Sequence, residues 1–308
     1  MGRGPAGQVG ATGPAQRSNR RPLLWLSVSL EALFTYEAVL RAALVGLVAL
    51  PLIPGGLKVL TAILAAFSIA HAWYSLGGRL TAVFFALSAT ISWAFEQAGV
   101  MTGLVFGPYH YTEYLGGKLG DVPLLIPLAW FMMIYPSYVI AKLVLEGRAS
   151  GPPGTAWGAV RLAGVAAFVM TAWDLVIDPI LSGPSSRAWI WETGGPYFGI
   201  PIHNYLGWLV TTFTVYVAFL AVERRWAATT GRSPDPAHAI GVTAAALPVA
   251  AYGLMLIADL LSGAAPTGLV VIGPLVMGPP CVMAAWRLSR SGVGAGSELV
   301  GPTARDAA

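Results

Sequence analysis

The sequence predicts an all-α integral membrane protein, built as a bundle of about eight transmembrane helices. Of the 308 residues, 56% are hydrophobic and only 10% are charged, and the mean hydropathy is +0.67. An ordinary soluble domain carries about 25% charged residues. Apolar stretches close to or above the roughly 18 residues needed to span a bilayer recur along the chain. Most of the surface must therefore face lipid.

The apolar stretches number eight and follow one another closely. They cover residues 33–54, 57–76, 80–101, 122–145, 157–181, 200–222, 238–261 and 266–287. An even number of crossings returns the chain to the side on which it started, so both termini are expected on one side of the membrane.

The basic residues indicate which side that is. They precede the first stretch and then recur in alternate connections, as at Arg79, Arg148 and Arg224. Because short loops rich in Lys and Arg stay in the cytoplasm, both termini are predicted to be cytoplasmic in a multi-pass protein of the cell membrane. The net charge of +4 follows from these ends. It favours the lipid bilayer, not nucleic acid, as a partner.

The connections are too short to separate folded domains, so a single polytopic membrane domain is expected over residues 23–290. Residues 1–22 and 291–308 lack an apolar period and are typical of disordered tails. The single cysteine, Cys281, excludes an intramolecular disulfide and any multi-cysteine metal site.

Two long loops on the predicted outer side, 102–121 and 182–199, are dense in Gly, Pro, Tyr and Trp. Both contain a Thr-Gly pair followed by a Phe-Gly pair. This likeness is consistent with an internal repeat that forms one pocket, and equally with chance in such a biased composition. Function is expected at this end of the helices.

Ionisable side chains at the ends of the apolar stretches are the candidate catalytic residues. Each such group at membrane depth costs about 2.5–3.5 kcal/mol on insertion scales, so its presence needs an explanation. Glu96 ends the third stretch, Asp174 and Asp178 end the fifth, and His203 and Asn204 open the sixth. With the predicted crossings, all five approach the same outer layer.

Asp174 and Asp178 lie four residues apart and share one helix face. Like charges repel there, so one acid keeps its proton as a donor while its ionised neighbour is an available base. Alternatively, Asp178 caps backbone near Pro179, while Asp174 and Glu96 form hydrogen bonds between helices. A magnesium site for a diphosphate is a third interpretation, but the other stretches supply only Asp259 and no comparable basic group.

Aromatic residues surround these acids. Tryptophans at span ends commonly form an interfacial belt, but aromatic faces in a dry site also stabilise a cation by about 2 kcal/mol. The candidate substrate-binding residues are Trp93, Phe106, Tyr109, Tyr111, Trp173, Trp191, Tyr197, Phe198 and Trp208.

Several motifs occur in a fixed order between residues 65 and 222. They are His71-Ala72, Glu96 with Gly99, Phe106-Gly107 with Tyr109 and Tyr111, the run from Pro127 to Pro136, Trp173-Asp174 with Asp178-Pro179, and Trp189-x-Trp191 leading into Tyr197-Phe198-Gly199 and Gly207-Trp208. In this order the chain resembles the membrane carotenoid-biosynthesis hydratases, of the carotenoid 1,2-hydratase and bisanhydrobacterioruberin hydratase type. It departs from them at Ile180-Leu181, where the family tends to have Gln-Met.

The resemblance implies addition of water across the terminal isopropylidene double bond of an acyclic carotenoid, giving a tertiary alcohol without a metal or other cofactor. It also makes other carotenoid-biosynthesis enzymes candidate partners. Our hypothesis is that Asp174 or Asp178 protonates the alkene and that rings including Trp173 stabilise the cation. Water held by His203, Asn204 or Glu96 then captures it. The alternatives are a carotenoid cyclase that uses the same protonation, and a non-catalytic carotenoid or lipid carrier or transporter.

Overall fold

The computed structural model describes residues 21–44, 56–230 and 241–297. Within these ranges the chain forms eight α-helices and four short β-strands. The helices are α1 (Arg21–Leu44), α2 (Leu57–Leu76), α3 (Gly78–Thr102), α4 (Leu125–Glu146), α5 (Ala156–Leu181), α6 (Ile202–Thr230), α7 (Val242–Leu260) and α8 (Leu269–Ser297). The strands are β1 (Tyr109–Tyr111), β2 (Lys118–Leu119), β3 (Val122–Pro123) and β4 (Trp189–Trp191).

Helices α2 to α8 are the seven described helices that are long and apolar enough to cross a membrane. This confirms the predicted class of all-α membrane protein. Lipid supplies no hydrogen-bond partners, so an apolar segment that spans it satisfies its backbone internally as a helix. Helices α6 and α8 continue past the boundaries expected at 222 and 290.

The first helix begins earlier than predicted. The hydropathy pattern placed a span over residues 33–54, whereas α1 occupies Arg21–Leu44, and residues 45–54 lie outside the described part of the chain. The expected N-terminal tail falls almost wholly on residues 1–20, which are also outside it. Glu31 explains the difference, because its side chain is buried and does not end the helix. Pro22 stands in the first turn, where a missing N–H is tolerated.

Successive helices from α2 to α7 run in alternating directions, so the start of α2 and the ends of α3 and α5 come to one end of the bundle. The starts of α4 and α6 lie there too. Leu57, Glu96, Leu125, Asp178 and Asn204, one from each of these helix ends, line the same cavity. We call this the loop end of the bundle.

The two long loops meet over the loop end and form a small β-layer. Strand β1 pairs antiparallel with β4, with Tyr109 opposite Trp191 and Tyr111 opposite Trp189. Residues of both loops, such as Tyr111 and Trp189, line one cavity.

The likeness between the two loops is limited to their glycine turns. Gly103, Gly107, Gly194 and Gly199 all have positive φ, a backbone conformation that glycine adopts without strain. However, β1 follows the Phe-Gly pair of its loop, whereas β4 precedes the Thr-Gly pair of the other. The loops are therefore not related as simple structural repeats.

Candidate active site

A cavity of about 330 Å³ lies between the helices beneath the β1–β4 layer, within the range of about 300–1,000 Å³ that is usual for ligand pockets. Four carboxylic acids line it, and none of the described residues in its wall is Lys, Arg or His. The acids are Glu96, Asp174, Asp178 and Asp259, and most other lining residues are apolar or aromatic.

Asp178, in the last turn of α5, receives three side-chain hydrogen bonds. Its Oδ1 accepts from the indole N–H of Trp189 at 2.8 Å and of Trp191 at 3.2 Å. Its Oδ2 accepts from Nδ2 of Asn204 at 2.7 Å. Alternate residues of a strand point to the same face, so β4 brings both indoles to one carboxylate.

Asp174 lies one turn earlier on the same face and is only 1% exposed. Its Oδ2 accepts from the same Asn204 amide at 2.9 Å. This is the one side-chain hydrogen bond that Asp174 receives from described residues, so its other oxygen has no protein donor at the cavity wall. Asn204 bridges the two acids. Asp178 receives three side-chain hydrogen bonds from described residues and Asp174 receives one.

Glu96, near the end of α3, accepts from three donors. Its Oε2 accepts from the hydroxyl of Tyr111 at 2.9 Å and from that of Tyr109, and its Oε1 accepts from Nε1 of Trp130 at 3.0 Å. Burial, and then the adjacent Glu96 carboxylate, raise the pKa of Tyr109 and Tyr111 well above the ordinary value of 10. Both phenols therefore stay protonated and donate.

A continuous aromatic wall, Trp130–Trp208–Trp173, borders these acids. The Trp130 ring stacks on Trp208 with centroids 4.1 Å apart and an interplanar angle of 11°. Trp173 meets Trp208 edge-on at 6.1 Å and donates its indole N–H to Oδ2 of Asp259 at 3.1 Å. Trp130 and Trp173 are 2% and 4% exposed, so neither is an interfacial-belt residue.

The structure brings most of the predicted site residues to the cavity. Those that line it are Glu96, Asp174, Asp178, Asn204, Phe106, Tyr109, Tyr111, Trp173, Trp191 and Trp208.

Four predicted residues do not line the cavity. His203 is exposed on α6, because successive residues of a helix point about 100° apart and Asn204 takes the inward position. Trp93 donates its indole N–H to the carbonyl of Leu119, away from the cavity. The other two are Tyr197, whose hydroxyl donates to the backbone of α5, and Phe198, which is partly exposed and packs against Tyr197.

Three wall residues that form the hydrogen bonds of the site were not predicted from the sequence: Asp259, Trp130 and Trp189. Asp259 was considered only as a metal ligand, although an acid at the end of an apolar stretch is the same signal that singled out Glu96. Trp130 lies within a long apolar run and became a candidate only when its contact with Glu96 was visible.

Fold and site together define a polytopic membrane protein with an acid-lined aromatic cavity at one end. A family model described as "Carotenoid biosynthesis protein" matches residues 57–274, more than two thirds of the chain. The chain belongs to this family, as its motifs indicated.

A curated relative is the bisanhydrobacterioruberin hydratase of Haloarcula japonica. The chain is 34% identical to it over 129 residues, which are 42% of this chain and 41% of the relative. The match thus spans about two fifths of that protein's length. No solved structure gives a significant match.

Proposed function

We propose that this protein is a cofactor-independent carotenoid hydratase. It adds water across the terminal isopropylidene double bond of an acyclic carotenoid end group and gives a tertiary alcohol. The observation that carries the proposal is the pair Asp174 and Asp178, bridged by Asn204 within an aromatic cavity that contains no described cation. Membership of the carotenoid-biosynthesis family and the likeness to a hydratase of Haloarcula japonica support the same chemistry.

Asp174 is the proposed proton donor. Hydrogen bonds to a carboxylate favour its charged form, and Asp178 receives three where Asp174 receives one. A proton shared by the pair therefore resides on Asp174, next to the cavity. Its O–H bond breaks as a new C–H bond forms at the less substituted alkene carbon, which leaves a tertiary cation on the neighbouring carbon.

The aromatic wall stabilises this cation. The face of an indole ring attracts positive charge, with a contribution of about 2 kcal/mol or more in a desolvated site. Trp173 and Trp208 stand in the cavity wall with Asp174. Since no Lys, Arg or His is among the described lining residues, nothing described there repels the developing charge.

Water then captures the cation, and its surplus proton returns to the Asp174 carboxylate, which restores the acid. We assign the orientation of this water to the oxygen atoms of Asn204 and Glu96, which line the cavity, and not to His203, which is exposed on α6. The atoms balance, because the alkene gains one hydrogen and one hydroxyl and the protein is unchanged.

The cavity is suited to an end group and not to a whole polyene. Its wall contains four acids and apolar residues of α2, α4 and α7, such as Leu60, Met132 and Met255. We infer that the end group enters this chamber while the remaining chain lies among the helices or in the bilayer. Substrate and lipid are thus the partners that the proposal requires.

Pigment analysis after co-expression with a lycopene pathway tests the proposal. The unaltered protein is expected to convert acyclic carotenoid to a product heavier by one water. Asp174→Asn removes the proton donor and is expected to leave the pigment unhydrated. Glu192→Gln, at an exposed loop acid, is the matched control and retains the product.

Hydrated product from Asp174→Asn at the control level would contradict the assignment of the acid. A product of unchanged mass from the unaltered protein would identify cyclisation instead. Pigment that copurifies with the protein and is never altered would identify a carrier.

A further inference from the structure

Tryptophans in the described wall of the cavity share an unusual feature: four of the five donate the indole N–H to a carboxylate. Trp189 and Trp191 donate to Asp178, and Trp130 donates to Glu96. Trp173 donates to Asp259 at 3.1 Å. The first three donors bind acids next to the reaction site proposed above, whereas Asp259 has no role in that proposal.

Asp259 shares no hydrogen-bond donor with Asp174 or Asp178 among the described residues. Its carboxylate is 6% exposed and receives one side-chain hydrogen bond from the described residues, that of Trp173. Asp174 and Asp178 are instead joined through Asn204. A change at Asp259 therefore leaves the hydrogen bonds of the acid pair intact.

We propose that Asp259 is a positioning residue that acts through Trp173, and that together they make this part of the cavity a subsite for a hydrophobic organic cation. Asp259 holds the indole in place, because its oxygen accepts the indole N–H. The inference rests on the proposed function in one respect, because the natural ligand would be the tertiary cation of that reaction. Its test does not depend on the reaction.

The physical reason is the coupling of a hydrogen bond to the charge of a ring. An oxygen that accepts an indole N–H polarises the indole, and in a site of low dielectric such polarisation is stronger than in water. The ring face becomes more attractive to a cation. Trp173 carries this effect into the aromatic wall, since its ring meets Trp208, which stacks on Trp130.

The wall is also held at both ends. Asp259 on α7 fixes Trp173, and Glu96 on α3 fixes Trp130, so the three rings cannot turn freely. Rings placed before the reaction stabilise charge without reorganising as it develops. A stable amine that carries the same charge and shape as the cation should therefore bind better than the neutral hydrocarbon.

Binding to the purified full-length chain in detergent tests the proposal. The probes are a protonated tertiary amine with a short isoprenoid tail and the hydrocarbon of the same shape, each followed by quenching of tryptophan fluorescence. Asp259→Leu keeps a side chain of similar size but removes the oxygen that accepts the indole N–H. It is expected to weaken amine binding on the order of tenfold and to leave hydrocarbon binding unchanged.

A double-mutant cycle separates an effect through the ring from direct attraction by the acid. Trp173→Phe removes the N–H and is expected to weaken amine binding by a similar factor. Adding Asp259→Leu to it is expected to cause little further loss, because the two residues act as one unit. Glu192→Gln, an exposed acid outside the cavity, controls for the general loss of a negative charge.

Three results would overturn the proposal: unchanged amine binding in Asp259→Leu, equal loss of amine and hydrocarbon, or independent losses that multiply in the double variant. The pigment assay is scored separately. Amine selectivity that depends on Asp259 and Trp173 in a protein that forms no alcohol would refute the hydratase proposal and retain this one. Alcohol formation with no such dependence would do the reverse.

Discussion

Replacing Gly207 by alanine is expected to disturb the site through packing alone. Gly207 lies in the second turn of α6, where the segment before β1 crosses the helix at close range. A Cβ added there would lie 2.3 Å from the carbonyl oxygen of Val105 and 2.6 Å from the Phe106 ring. Ordinary contact begins at 3.4 Å. The segment or the helix must therefore move by about 1 Å, and backbone cannot give way as a side-chain tip does.

The size of the effect follows from two opposing contributions. Overpacking of this kind costs about 1–3 kcal/mol, whereas Gly→Ala inside a helix gains about 0.5–1 kcal/mol. Gly207→Ala should therefore lower the free energy of unfolding by up to about 2.5 kcal/mol. Phe106 and Trp208 line the cavity, and a misplacement of about 1 Å near a reacting centre lowers activity on the order of 100-fold.

Gly164→Ala is the matched control, because nothing lies within 4 Å of its added Cβ in α5. Thermal unfolding of the purified protein in detergent and alcohol yield from the pigment assay are measured for both variants. Gly164→Ala should unfold at the same temperature as the unaltered chain or higher, with full yield. If Gly207→Ala behaves like Gly164→Ala in both assays, the close approach of the loop to α6 is wrong.

Three further predictions concern other parts of the molecule. Asn204→Leu removes the amide between the two aspartates and should lower alcohol yield by about 100-fold, whereas His203→Ala should retain it; equal losses would place His203 in the site. Glu192→Cys in a Cys281→Ala background should react with a membrane-impermeant maleimide added to intact cells, and labelling only after lysis would reverse the predicted orientation. Lys142 is fully buried and donates a hydrogen bond to a carbonyl of the loop after α4. Lys142→Met should therefore lower the free energy of unfolding by about 1–3 kcal/mol without changing the pigment product. Unchanged thermal unfolding would contradict this.

Much of the fold was predictable because the bilayer imposes one solution on a long apolar segment. The seven spans from α2 to α8 follow from length and hydropathy alone. The start of α1 did not follow, because a buried glutamate such as Glu31 and a solvent-facing one look the same in a hydropathy window. The pairing of β1 with β4 was also beyond the sequence, since two strands of three residues joined across 80 positions leave no periodic signal.

The site was predictable as a set of residue types and not as a set of contacts. Glu96, Asp174 and Asp178 stood out because an ionisable group at membrane depth is costly. His203 and Asn204 are neighbours on α6, so only one of them can point into the cavity. Which one does so depends on how the helix is rotated about its axis, and the sequence does not give that rotation. Asp259 gained a role only through its contact with Trp173, which joins positions 86 apart in the chain.

The source of the atoms added to the substrate tests the central claim most directly. The purified protein is incubated with preformed, unlabelled acyclic carotenoid in heavy-oxygen water and, separately, in deuterium oxide, and the product is analysed by mass spectrometry. The account predicts a tertiary alcohol whose oxygen comes from water, with one deuterium on the adjacent carbon, and no such product from Asp174→Asn. An oxygen derived from molecular oxygen, or an alcohol with no deuterium next to it, would contradict hydration that begins with proton transfer.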